Sequence, residues 1–101
     1  MQELKLYIED TKSEIIAMTE LFYQQNVQEA LNKMPNVLDG IEKIYILIND
    51  VECIEAEDKM GIVKILGEAM NAMESGDYVL LADILQYDMI DILELYISKL
   101  N

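Results

Sequence analysis

Residues Glu74–Asn101 read ESGDYVLLADILQYDMIDILELYISKLN. The stretch opens on a turn signal and then runs apolar: fifteen of the twenty residues from Tyr78 to Ile97 are hydrophobic. Gly76 can take the left-handed backbone conformation that ends a helix. Asp77 directly after it can cap the next one. A connection this short forces the helices on either side to lie antiparallel and in contact. The second helix then runs from Tyr78 to about Leu100, roughly 35 Å at 1.5 Å per residue.

A helical projection of that last helix puts Tyr78, Ala82, Leu85, Met89, Ile92, Leu93 and Tyr96 on a central stripe. Val79, Ile90 and Ile97 widen the stripe on one side, and Ile84 and Leu95 on the other. Asp83, Tyr87, Asp91, Glu94 and Ser98 form the polar strip. The apolar arc covers more than half the circumference, which is more than a helix in a monomeric four-helix bundle usually buries. The expectation is that helix 4 is central, or that a second chain or a client covers one flank. Val79, Ile84, Tyr87, Ile90, Asp91, Glu94 and Ile97 are the candidate partner or dimer interface, an apolar centre with a polar rim. An edge of helix 2 around Ile46, Leu47 and Ile54 is the next candidate.

Working outward, ELKLYIEDTKSEIIAMTELFYQ from Glu3 carries Leu4, Ile8, Thr11, Ile15, Met18 and Phe22 in alternating steps of four and three. That is one face of an amphipathic helix. Asn26 with Glu29 three residues on reads as a capping box for helix 2. Helix 2 contains Pro35, which removes a hydrogen bond and clashes with the preceding turn, so a kink or break is expected there. Val37 or Leu38, Ile41, Ile44, Tyr45, Ile48 and Val51 form its buried stripe. Gly40 in mid-helix costs about 1 kcal/mol against Ala, which a close helix crossing could offset. Asp58 is the expected cap of helix 3, whose stripe is Ile62 or Val63, Leu66, Ala69, Met70 and Met73. Gly61, Gly67, Ala69 and Ala72 make helix 3 thin. The fold expected is all-α: an antiparallel four-helix bundle of two αα-hairpins, forming one domain over residues 1–101.

Composition narrows the function classes. Twenty acids face seven Lys and no Arg, for a net charge of −13. The acids are spread evenly along the chain, with no basic patch, so direct binding to nucleic acid or to an anionic membrane is not expected. Mimicry of DNA's charge, or inhibition of a basic protein, is an alternative. There is no His, which removes the commonest general base and imidazole metal ligand. No phosphate-binding glycine loop, nucleophile elbow or calcium loop occurs. Acid groups such as Glu55/Glu57/Asp58 and Asp88/Asp91 are what twenty acids produce by chance. No catalytic, cofactor or metal residue is therefore named, and the chain is read as a non-enzyme. Cys53 is the single cysteine, in an acidic setting that disfavours a thiolate. No signal peptide or spanning segment is visible, so a cytoplasmic location is expected. Abundant Ile, Lys, Asn and Tyr without Arg suggests a bacterial source with an AT-rich genome.

The run AMNAMESGDYVLLADILQYDMIDILELY, with the earlier FYQQNVQEALNKMPNVLDGIEKI, resembles an uncharacterised family of small acidic all-helical bacterial proteins. That resemblance implies a fold and no catalytic residue. The helix–GDY–helix layout is more loosely similar to small helical flagellar export chaperones, which hold an unassembled export subunit in an apolar groove. Taken together, these readings lead to a small protein-interaction module, an adaptor or chaperone-like protein, whose partner is another protein or itself as a homodimer. A homodimer with no external client is the plainest alternative.

Overall fold

The structure, a computed structural model, describes residues 2–101. Helix α1 is Gln2–Tyr23, α2 is Val27–Ile48 and α3 is Ala56–Glu74. A fourth helical rod follows in three parts: α4 at Tyr78–Asp83, a π-helical turn at Ile84–Met89, and α5 at Ile90–Leu100. No strand occurs among the described residues. The four rods form the expected all-α bundle. No helix is long and apolar enough to cross a membrane among the described residues.

Two joints of the same design fold the chain into hairpins. At the first, Gln25 has φ 64°; its amide donates to the Phe22 carbonyl at 3.0 Å, and the Asn26 amide donates to Leu21 at 2.8 Å. At the second, Gly76 has φ 73°; its amide donates to Met73 at 3.1 Å, and that of Asp77 to Ala72 at 3.0 Å. This pairing satisfies carbonyls that a helix end leaves free. The Asp77 carboxylate then caps the fourth rod, accepting from the Leu80 amide at 3.1 Å. Asn26 does not do the same for α2. Its side chain makes no cap bond and reaches Gln24 instead. The capping box with Glu29 is therefore not formed, because the left-handed Gln25 already sets the chain direction there.

One further expectation narrows and one changes. Of the kink or break expected at Pro35, the break does not occur: α2 runs through it. Pro35 is exposed, so the carbonyl its missing amide leaves free lies on the water side. Helix α3 starts three residues earlier than expected, with Glu55 as its N-cap residue and Asp58 inside the first turn. The linker between the hairpins is pinned by buried Val51 and Ile54, by Lys59 Nζ donating to the Asn49 carbonyl at 2.9 Å, and by the Cys53 thiol donating to the Lys99 carbonyl at 3.2 Å.

The whole α1 stripe from Leu4 to Phe22 is buried, as its spacing predicts. Helices α1 and α2 make the most extensive helix pair. They approach closely where Gly40 meets Thr11: a Cβ at Gly40 would stand 2.8 Å from Thr11 Oγ1. The Thr11 hydroxyl is held in place by donating to the Tyr7 carbonyl at 3.0 Å. The fourth rod packs on both α1 and α3, whereas α2 and α3 meet only sparsely.

The π turn explains how the fourth rod serves two neighbours. Four of its fully buried residues, Leu81, Leu85, Met89 and Leu93, recur in steps of four. In a pure α-helix each such step overshoots a full turn by about 40°, so three steps would rotate Leu93 off the face of Leu81. A wider turn absorbs that drift. Gln86, inside the turn, accepts from the buried Thr19 hydroxyl at 2.6 Å and so fastens it to α1. Nearer the end of the rod, Tyr96 is buried and donates to the Asp58 carbonyl at 2.7 Å.

Glycine substitutions should separate these causes. Gln25→Gly relieves a left-handed L-residue but adds freedom to the unfolded chain, a net gain of about 0.5–1 kcal/mol. Gly40→Ala overpacks Thr11, and its cost of about 1–3 kcal/mol exceeds the helix-propensity gain. Gly67 has nothing within 4 Å of an added Cβ, so Gly67→Ala should stabilise. Urea unfolding of the three variants should give signs of plus, minus and plus.

Burial pushes the Tyr96 phenol above its ordinary range. A raised folded-state value stabilises fully below the unfolded value near 10 and is lost as pH rises past it. Tyr96→Phe should lose about 1 kcal/mol at neutral pH, through loss of the hydrogen bond to the Asp58 carbonyl. Its deficit against the wild type should shrink above about pH 10, as measured by thermal melts across pH.

Candidate functional site

The residues marked as an interface on the fourth rod separate into two groups. Ile84 and Ile90 are each only 8% exposed and belong to the core. Ile97 is half-buried and packs against that core. Val79 at 65% and Tyr87 at 62% exposure do face solvent, and Asp91 and Glu94 are exposed with them. The apolar arc is wide because the rod is central, with α1 on one flank and α3 on the other. The flanks assigned to a second chain are thus covered largely within one chain. Ile54, part of the alternative edge on helix 2, is also buried, while Ile46 and Leu47 are exposed.

The exposed face of the rod, with Val79, Leu80 and Tyr87, is edged by polar and aromatic contacts to α1. Tyr23, at the end of α1, donates its hydroxyl to the Asp83 carboxylate at 2.7 Å. Partial burial, then that hydrogen bond, hold its phenol above the ordinary range, with Asp83 and Tyr87 adding to the effect. Phe22 stacks on Tyr78, ring centroids 5.8 Å apart and 8° from parallel. These contacts fix the α1–rod seam shut.

The open seam is the opposite one. Between α2 and α3 runs a groove of about 380 Å³. Leu38 and Tyr45 line its α2 wall; Val63, Leu66 and Met70 line its α3 wall; Ile41 and Ile62 are its floor. Both floor residues are core residues, so the groove reaches the hydrophobic centre of the bundle. Glu42 is the only charged residue in its lining. A second hollow adjoins it across Val63, lined by Met60, Gly61 and Ile92, with Glu57, Asp58 and Lys64 at its edge. Val63 and Met60 are 41% and 54% exposed, large apolar side chains in water at the lip.

The cause lies in α3. Only Ile62, Ala69 and Ala72 of its residues are buried. Two of those three are Ala, so α3 lies close to the fourth rod and its larger residues, Leu66 and Met70, are left toward α2. The thinness of α3 is legible in Gly61, Gly67, Ala69 and Ala72, but which neighbour it approaches, and so where the groove opens, is not.

No group of three or more His, Cys, Asp or Glu residues is placed to hold a metal ion among the described residues. Cys53 is exposed and free.

Residues 1–99 match the sequence profile of a domain family of unknown function, DUF8042. The chain belongs to that family. No curated protein and no solved structure matches it. The expectation of an uncharacterised family is met, and the looser likeness to flagellar export chaperones gains no support.

Two substitutions on the fourth rod should behave differently. Ile90→Glu places a carboxylate among apolar side chains and should cost at least about 3 kcal/mol. Val79→Glu stays in water and should change stability by no more than about 0.5 kcal/mol. Thermal melts followed by circular dichroism distinguish them; equal tolerance of both would mean Ile90 is not in the core.

Proposed function

We propose that the chain is a small cytoplasmic protein-interaction module, an adaptor or chaperone-like protein, and that the α2/α3 groove is its docking surface. The observation that carries this reading is a groove with apolar walls whose floor is the core itself. Exposed Val63 and Met60 at its lip are what partner anchors would cover, and depletion of charge at the centre with acids at the margin is how interfaces are built. Met60 and Met70 add side chains that adapt to different shapes.

The reading differs from an interface on the fourth rod in where it puts the contact. It also weakens the motive for a homodimer, since Ile84 and Ile90 already have neighbours in their own chain. No residue constellation argues for catalysis, and we read the protein as a binder.

The test is affinity capture from the source cells with wild type, Val63→Glu and Val79→Glu side by side. A partner retained by wild type and Val79→Glu, and lost with Val63→Glu, supports the groove. A partner lost with Val79→Glu and kept with Val63→Glu moves the site to the rod. A partner released by salt alone from all three favours charge mimicry over apolar docking.

A further inference from the structure

We propose that the α2/α3 groove takes the apolar face of a cationic amphipathic helix from a different protein, not a second copy of this chain. This rests on the groove being the docking surface, and it fixes the chemistry of the occupant.

The walls decide the conformation. Apart from Glu42 and Tyr45, the lining is aliphatic or thioether side chain. An extended segment laid there would bury backbone amides and carbonyls with nothing to pair them. No strand edge exists among the described residues to supply partners by strand addition. A helix arrives with its own backbone bonds made and offers only side chains to the walls. From Ile62 to Met70 the α3 wall spans about 12 Å, room for two to three turns of ligand. The anchors expected are Leu, Ile or Met at i, i+3, i+4 and i+7.

Charge decides the source. The chain has 20 acids against seven Lys and no Arg. Glu42 stands at the groove, and Glu57 and Asp58 against the single Lys64 at the adjoining hollow, so acids outnumber lysines there three to one. A helix with Lys or Arg beside its apolar stripe meets these acids and is steered toward the surface. Each of this chain's own helical rods carries more acids than lysines. None of them, presented by a second copy, would meet that field favourably.

Three synthetic peptides of about 14 residues test this by titration into the full chain, followed by amide chemical shifts. One has a Leu stripe flanked by Lys, one the same stripe flanked by Glu, and one the Lys composition with the stripe scrambled. The Lys-flanked peptide should bind at least about tenfold tighter than either other peptide, with shifts confined to α2 and α3. Val63→Glu sits at an exposed position, so its circular dichroism should be unchanged while its affinity falls about tenfold. High salt should weaken the complex without abolishing it, because the apolar contact persists. Equal binding of the Glu-flanked peptide would overturn the cationic occupant and leave the groove reading standing. Equal binding of the scrambled peptide, or shifts centred on Tyr23 and Tyr87, would overturn both. Concentration-dependent shifts on α2 and α3 in the free chain, competed away by peptide, would make a second copy the occupant and overturn the proposal.

Discussion

Two left-handed residues, Gln25 and Gly76, hold the architecture together. Each reverses the chain within three residues, so each hairpin is closed before any long-range contact is needed. The carbonyls at the ends of α1 and α3 are satisfied within the joint itself. The two hairpins are then related only by the longer linker between α2 and α3. Helix pairs within a hairpin are tight by construction, and the pair across that linker is the one free to stay apart. The groove between α2 and α3 is a consequence of where the chain is reversed sharply and where it is not.

The fourth rod turns this topology into a packed core. It lies against α1 and α3 at once, and its π turn keeps Leu81, Leu85, Met89 and Leu93 in the interior despite their steps of four. Gln86 and Thr19 fasten that turn with a polar bond, and no buried side-chain nitrogen or oxygen among the described residues lacks a partner. A polar contact in the core is stabilising when it is fully satisfied, and here it also fixes the register of the rod on α1. The rod therefore fills the centre of the bundle, and the apolar groove that stays open lies on the other side, between α2 and α3.

The acidic surface and the apolar groove act on different stages of binding. Charge spread over the whole chain raises solubility and biases which partners approach, while apolar contact at the groove determines how long they stay. Few side chains in the groove are polar, so discrimination there rests on shape and on charges at the rim.

Much was legible in the sequence alone. The steps of α1, the Gly76–Asp77 joint and the antiparallel hairpin follow from local rules: periodicity, a left-handed glycine, a carboxylate cap. Those rules act over a few residues and need no knowledge of neighbours. The joint at Gln25 was not legible as such, because nothing in a glutamine announces a left-handed backbone; the fold imposes it. The same holds for α2 passing through Pro35, which depends on that side facing water. The width of the apolar arc on the fourth rod was read correctly from Tyr78 to Ile97, but not what covers it. Burial of Ile84 and Ile90 depends on α1 and α3 arriving from both sides. Exposure of Val63 depends on α2 standing off. Which apolar faces meet, and which is left over, is set by how four rods share one interior; periodicity within a single helix cannot decide it.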